Sequence, residues 1–279
     1  MLLACNHRAR PVDSISYSLL ILPSIRLAMA SFLVTGASRG LGLAFVKRLS
    51  ALPASSVSVV FATARSQSPG LEELAKQSAG RVIVVQLEVT DEASIKQAAA
   101  EVEEKLGGKG LDVLINNAGA CDYTPGGVKA MDNLEQIFSI NVLGVHWMTR
   151  AFIPLLQKGT QKKVVNISTT LASITLARAS NGLPIPAYKI SKAAMNALTV
   201  QYALEHEKEG FTIFALSPGW LKTELGGGDA ADLTADEGAR LSLDIILGPS
   251  RGLNGQFTRI HLPGWENSRH QYDGSNAPW

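Results

Sequence analysis

"FLVTGASRGLG", residues 32–42, sets a short apolar run, a glycine-rich turn and the start of a helical pattern in immediate succession. Gly36 and Gly40 let the turn run tight with backbone N–H groups free to face a pyrophosphate, and Gly42 lets the helix lie close to the strand. The helix N-terminus favours the negative charge of such a group. A glycine triplet alone is weak evidence and serves equally as a plain strand–helix turn. Its place at the head of a strand–helix–strand pattern gives it weight.

Downstream the pattern repeats. Apolar runs at 32–35, 57–63, 82–87, 111–116, 163–167, 211–216 and 256–260 read as strands, continuous rather than alternating, as strands covered on both faces must be. Amphipathic stretches lie between them. In 92–106, Ile95, Ala99, Val102 and Leu106 recur at helical spacing, and Asp91 is placed to cap that helix. Alternation of this kind predicts an α/β fold: a parallel sheet with helices on both faces, built by right-handed crossovers. Ligands on such a sheet bind at the carboxyl ends of its strands. Residues 29–279 read as a single domain of this class.

The chain has 279 residues, 46% hydrophobic and 18% charged, with a net charge of +2, which describes a globular protein and argues for no nucleic-acid partner. Two cysteines, Cys5 and Cys121, are too few for a disulfide framework, and no Cys/His spacing suits a metal. The reading is a metal-free cytoplasmic protein with no membrane partner. Residues 1–28 are an N-terminal extension carrying Arg8, Arg10 and Arg26 against Asp13 alone. The apolar stretch "SLLILPSI" within it is too short to span a membrane. The favoured reading starts the protein at Met29; the alternative is a mitochondrial presequence.

The end of the second strand sets the cofactor. An NAD site wants an acid there for the ribose 2′-hydroxyl, an NADP site an arginine for the 2′-phosphate. The chain reads "FATARSQS", with Arg65 and no acid before Glu72, and Arg39 stands in the glycine turn. Either arginine alone reads equally as a solvated surface residue. Together, with the acid missing, they favour NADPH.

"PAYKISKAAMNAL" puts Tyr188 and Lys192 four residues apart, on one helix face. A phenol titrates near ~10, too high for acid–base work at neutral pH, and a neighbouring ammonium would lower it. So tuned, Tyr188 would protonate a carbonyl oxygen as hydride reaches the carbon. Such pairs arise by chance on many helices; this one follows "VVNISTTLAS", a strand end crowded with the hydroxyls of Ser168, Thr169, Thr170 and Ser173.

Taken together, "TGASRGLG", "NNAG" (116–119), "SINVLG" (139–144), "NIS" (166–168), "YKISK" (188–192) and "SPGWLKTELGG" (217–227) resemble, in order and spacing, the short-chain dehydrogenase/reductase family. "PGWLKTELGG" and the ending "YDGSNAPW" are most similar to its sniffer-like and C-factor-like carbonyl reductases, a subgroup that includes fungal polyketide ketoreductases of secondary metabolism. The resemblance implies a three-layer Rossmann fold with a seven-stranded parallel sheet in the order 3-2-1-4-5-6-7, and NADPH giving hydride to a ketone or aldehyde. It implies Tyr188 as general acid, Lys192 lowering its pKa and holding the nicotinamide ribose, and Asn141, in a helix distortion, ordering a water. NADP(H) would be lined by Gly36, Ser38, Arg39, Gly40, Leu41, Gly42, Arg65, Glu88, Val89, Asn117, Ala118, Gly119, Tyr188, Lys192, Pro218, Gly219, Leu221 and Thr223. The carbonyl-orienting hydroxyl falls at Thr169, with Ser168 as the alternative. Glu88 stands where the family usually carries aspartate, which should shift its contact near the adenine.

Substrate selection is expected in loops 120–131, 171–187 and 220–233, the last with a lid-like glycine run at Gly226–Gly228. Leu171, Leu176, Leu183, Ile185 and Trp220 make the expected pocket apolar and the expected substrate a small apolar carbonyl compound, with Arg178 for a polar edge. His146 is read as a packed or interface residue, Cys121 as an inert small hydrophobe lacking a basic neighbour, and Pro154 as kinking its helix. No Gly-x-Ser-x-Gly elbow appears. Helices 134–156 and 187–207 pair into a homodimer in many relatives. Two rival readings stay open: a nucleotide-binding sensor with little turnover, and an NAD-dependent alcohol dehydrogenase.

Overall fold

The computed structural model describes residues 29–268 and 270–279. Both readings of residues 1–28 lie outside the described residues.

The chain runs β1 (Ala30–Val34), α1 (Gly40–Ala51), β2 (Val57–Ala64), α2 (Pro69–Gln77), β3 (Val82–Gln86), α3 (Glu92–Leu106) and β4 (Val113–Asn116). It continues through α4 (Leu134–Phe138), α5 (Gly144–Gln157), β5 (Lys163–Ile167), α6 (Pro186–Glu205) and β6 (Thr212–Ser217). A short pair, β7 (Leu221–Lys222) and β8 (Leu233–Thr234), precedes α7 (Ala235–Ile246) and β9 (Phe257–Arg259). The main sheet has seven strands in the order β3-β2-β1-β4-β5-β6-β9, every neighbouring pair parallel. This is the expected Rossmann order, with the seven strand positions shifted at their ends by at most two residues.

Period-two alternation divides the strand side chains between two cores. Phe32 and Val34 of β1, with Val113 and Ile115 of β4, pack with Phe45 and Leu49 of α1 and Ile246 of α7. Leu33 and Leu114, pointing the other way, pack with Ile95 and Val102 of α3 and Phe152 and Leu156 of α5. Each fully buried phenylalanine contributes roughly 1.5–3 kcal/mol over its exposed state. Helix α3 begins where Asp91 accepts a hydrogen bond from the Ala93 N–H and ends at Gly107 in the left-handed conformation, φ 59°. On its inner face Ala98 is buried and Ala99 only half so.

Within the stretch 134–156 a π-helical turn, Ser139–Leu143, lies between α4 and α5, the helix distortion expected at Asn141. Helix α5 then runs on through Pro154 to Gln157. Lys163, at the start of β5, is buried, and its Nζ donates to the Ile246 carbonyl at the end of α7 (2.5 Å). A cation there satisfies a terminal carbonyl and opposes the helix dipole, while burial lowers its pKa to about 8.

The last ten residues run antiparallel beside β9 through bridges Thr258–Asn276 and His261–Asp273. Buried Arg259 fastens them, its guanidinium donating to Gln271 (3.1 Å) and Asp273 (3.0 Å). An edge strand is thereby covered.

Candidate active site

The C-terminal ends of β1, β4, β5 and β6 open on one edge of the sheet, and the sequence-derived candidates lie there. The glycine turn is held from below by β4. Thr35 Oγ1 accepts from the Asn117 and Ala118 N–H groups (both 2.9 Å), while Asn117 Nδ2 donates to the Thr35 carbonyl (2.8 Å). Gly36 and Gly40 have positive φ, 64° and 54°. A Cβ on Gly42 would stand 2.2 Å from the Gly36 carbonyl oxygen, and one on Gly36 would stand 2.9 Å from Ala118 Cα. Here glycine is required by space as well as by conformation. Helix α1 has no side-chain cap and no acid in its first turn, so its N-terminal N–H groups face the turn with their partial positive charge uncompensated. The cradle therefore fits a dinucleotide pyrophosphate.

Beside it, β2 ends at Ala64 without an acid, and Arg65 is exposed. Its guanidinium lies 3.7 Å from the Glu88 carboxylate, and Arg39 pairs with Glu224 at 2.7 Å. Ser38 holds the start of α2 through its carbonyl, which accepts from Ser68 Oγ (2.9 Å). Glu88 also accepts from the Thr90 N–H (3.1 Å), which turns its carboxylate toward its own loop. Val89 is buried beneath Gly144.

Tyr188 and Lys192 both lie on the buried face of α6, which Pro186 opens. Lys192 Nζ donates to the Ile167 carbonyl at the end of β5 (2.8 Å), and a Cβ on Gly119 would come within 3.5 Å of it. Asn141 sits in the π-helical turn, fully buried. Its Oδ1 accepts from the Ala120 N–H, and its Nδ2 donates to the Ala120 carbonyl and to Ser191 Oγ, all at 2.9 Å. Ser191 in turn donates to the Tyr188 carbonyl (2.9 Å). Asn141 thus clamps the segment after β4 to α6 between Tyr188 and Lys192, with both amide hydrogens used.

Ser168 and Thr169 continue β5 in extended conformation, so their side chains point to opposite sides. Ser168 is buried, and its Oγ donates to Asn196 Oδ1 (2.7 Å). Thr169 neighbours Tyr188 and is the one influence that lowers its phenol, while its Oγ1 accepts from the Leu171 N–H (3.3 Å). Thr170 opens a 3-10 turn, and Ser173 Oγ accepts from the Leu176 N–H (3.1 Å).

The electrostatics correct one expectation. Burial, with a smaller contribution from Cys121, pushes the Tyr188 phenol well above its ordinary value, against a lowering by the Thr169 hydroxyl; Lys192 is not among its influences. The ammonium is turned to Ile167, and burial brings its own pKa down to about 8. Cys121 does have a basic neighbour: Lys192 lowers its thiol slightly, but burial and Asp122 together push it up to about 11. It stays a thiol. His146 packs against Tyr202, whose hydroxyl lies 2.9 Å from its Nδ1.

The three loops rim this edge. The Thr124 N–H donates to the Pro184 carbonyl (2.8 Å), joining the first to the second. Tyr123, Val128, Ile174, Leu183, Trp220 and Leu225 are exposed apolar side chains within them, and Arg178 is exposed in a 3-10 turn. Pro218 and Gly219 (φ 90°) turn the chain from β6 toward Leu221, which is buried, and Thr223, whose methyl lies against Gly40. Sequence reasoning missed Ser191, Asn196 and the Ala120 backbone; the one signal for Ser191 and Asn196 is their helical spacing from Tyr188 and Lys192.

Residues 30–233 match the family model for short chain dehydrogenase. The chain is 36% identical over 210 residues to the short-chain dehydrogenase/reductase atnB of Arthrinium sp, covering 70% of this chain and 76% of that protein. In structure it is similar to the NADPH-bound carbonyl reductase from chicken fatty liver, with a TM-score of 0.79 at 34% identity over 91% of this chain and 100% of the other. It is also similar to the carbonyl reductase Sniffer of D. melanogaster, with a TM-score of 0.78 at 26% identity over 90% and 100% of the two chains. One family model spans the cradle, Asn141, Tyr188 and Lys192 together, and the chain belongs to the short-chain dehydrogenase family of oxidoreductases.

Proposed function

We propose that the protein is an NADPH-dependent reductase of small apolar ketones or aldehydes. The observation that carries this reading is the meeting of a buried Tyr188 with the Thr169 hydroxyl, one helical turn from Lys192, at the sheet edge that holds the glycine cradle. NADPH bound there supplies the hydride. Tyr188 keeps its proton through the neutral range because burial disfavours the phenolate, so it enters the reaction as an acid. Thr169, its Oγ1 already accepting from Leu171, has its proton free to donate to the carbonyl oxygen. That oxygen takes its proton from Tyr188, and Lys192, on the same helix face and with its own pKa brought down to about 8, is the neighbouring proton source. The apolar loop side chains favour an uncharged substrate.

Thr169→Ala should lower kcat about 100-fold, the scale of one lost oxyanion donor, whereas Ser168→Ala should change kcat by less than about fivefold and act mainly on stability. The reverse ranking in steady-state kinetics would move the donor to Ser168.

The test of the reading as a whole is nucleotide affinity by isothermal titration. NADPH should bind more tightly than NADH, and Arg65→Asp should weaken NADPH about 10- to 100-fold, the range of one hydrogen bond to a charged group, with NADH nearly unchanged. Preference for NADH in the wild type would favour the alcohol dehydrogenase reading. Binding without turnover of any apolar ketone or aldehyde would favour the sensor.

A further inference from the structure

The lid between β6 and α7 is tied to the rest of the protein by buried contacts at its base and by an exposed ion pair at its tip. At the tip, Glu224 meets Arg39 across two side chains that are each more than 70% exposed, a contact of little strength. Gly227 and Gly228 follow with φ of 89° and 70°, a backbone able to hinge. At the base the contacts are of another kind. The Asp232 carboxylate, 17% exposed, accepts from the Tyr272 hydroxyl and faces His270 Nδ1, both at 2.6 Å. Tyr272 is buried, and its hydroxyl accepts from the Trp220 N–H (3.1 Å). The Trp220 ring stands edge-on to His270, with centroids 5.3 Å apart, and the Trp220 carbonyl accepts from the Leu233 N–H (3.1 Å).

We infer that Asp232, acting through Tyr272 and His270 of the C-terminal segment, is a positioning residue that latches the base of the lid and thereby sets Leu221 and Thr223 over the nucleotide. Asp232 lies at one end of the lid and Trp220 at the other, and Tyr272 bonds both; a single phenol closes the loop on itself. Because the C-terminal segment is fastened to the sheet by Arg259, the latch transmits the rigidity of the sheet to a glycine-rich loop. The effect on nucleotide rests on the reductase reading; the latch itself does not.

The experiment uses the full chain and the variants Asp232→Asn and Tyr272→Phe, each close in shape to the native residue. Lys222, exposed in the lid, is a site for trypsin that needs no nucleotide. Cleavage there should quicken about tenfold or more in both variants relative to cleavage elsewhere, since a hydrogen bond to a charged group is lost. The Kd for NADPH and the KM for a ketone should rise by a similar factor, with kcat changing less. Wild-type cleavage rates at Lys222 in both variants would overturn the latch. Should Tyr272→Phe fold poorly, Asp232→Asn decides alone. A wild type that binds no NADPH would sink the reductase reading, and the trypsin comparison would still settle the latch.

Discussion

Tyr188→Phe is expected to lower kcat for carbonyl reduction about 1,000-fold while leaving the Kd for NADPH within about threefold and the fold intact. The size follows from removing a positioned general acid, worth roughly 100- to 10,000-fold. The selectivity follows from the site. The phenol oxygen is the only atom lost, its ring stays packed on α6, and the glycine cradle proposed for the pyrophosphate is built from other elements. Single-turnover rates beside titration of the nucleotide measure both sides. A variant retaining more than a tenth of the wild-type rate would remove Tyr188 from the chemistry.

The pH profile of the wild type checks the same assignment. Tyr188, held above its ordinary value, stays protonated throughout the neutral range. Lys192, brought down to about 8, carries its charge below that pH and loses it above. Reduction needs both protons in place, so kcat/KM should be level from about pH 6 to 7.5 and fall above about pH 8. A profile level to pH 10 would separate Lys192 from the proton transfer.

Why the sequence conveyed some of this and not the rest has physical reasons. Strands covered on both faces must be continuously apolar, and so tight a turn must be glycine, so the strands and the glycine turn were legible in local composition, whereas the sheet order came from the resemblance. The break at Ser139–Leu143 carries no glycine or proline inside the turn to announce it; the resemblance alone placed a distortion there. Alternation along β5 implies that only one of Ser168 and Thr169 can face Tyr188. Which one depends on Asn196, a helix away, taking Ser168 for itself. The Tyr188 pKa went astray because spacing shows the charge four residues on but not the depth of burial or the carbonyl that claims that charge. The bonds of Asp232 to His270 and Tyr272 span about 40 residues with no periodic signal between them.

The second large effect lies in the cradle. Gly42→Ala should abolish measurable NADPH binding, raising the Kd at least 100-fold, and should destabilise the protein by about 2–4 kcal/mol. The added methyl carbon would fall 2.2 Å from the Gly36 carbonyl oxygen and 2.6 Å from Asn117 Nδ2. Neither neighbour can yield cheaply. The carbonyl belongs to a turn whose φ is already positive, and the amide is bonded to Thr35 and Gly36, tying β1 to β4. Relief requires either that the turn lift off α1, which takes the N–H groups out of register with a pyrophosphate, or that the helix retreat from a close-packed core, with a cost on the scale of overpacking and lost buried hydrogen bonds. Gly70 makes the control: a Cβ there meets only Leu43 Cδ2 at 3.6 Å, and Gly70→Ala near the start of α2 should leave NADPH binding as it is and raise stability slightly. Thermal melts and nucleotide titration of the two variants decide it. Tight NADPH binding by Gly42→Ala would mean that the turn does not cradle the pyrophosphate, and the nucleotide would have to be sought at another edge of the sheet.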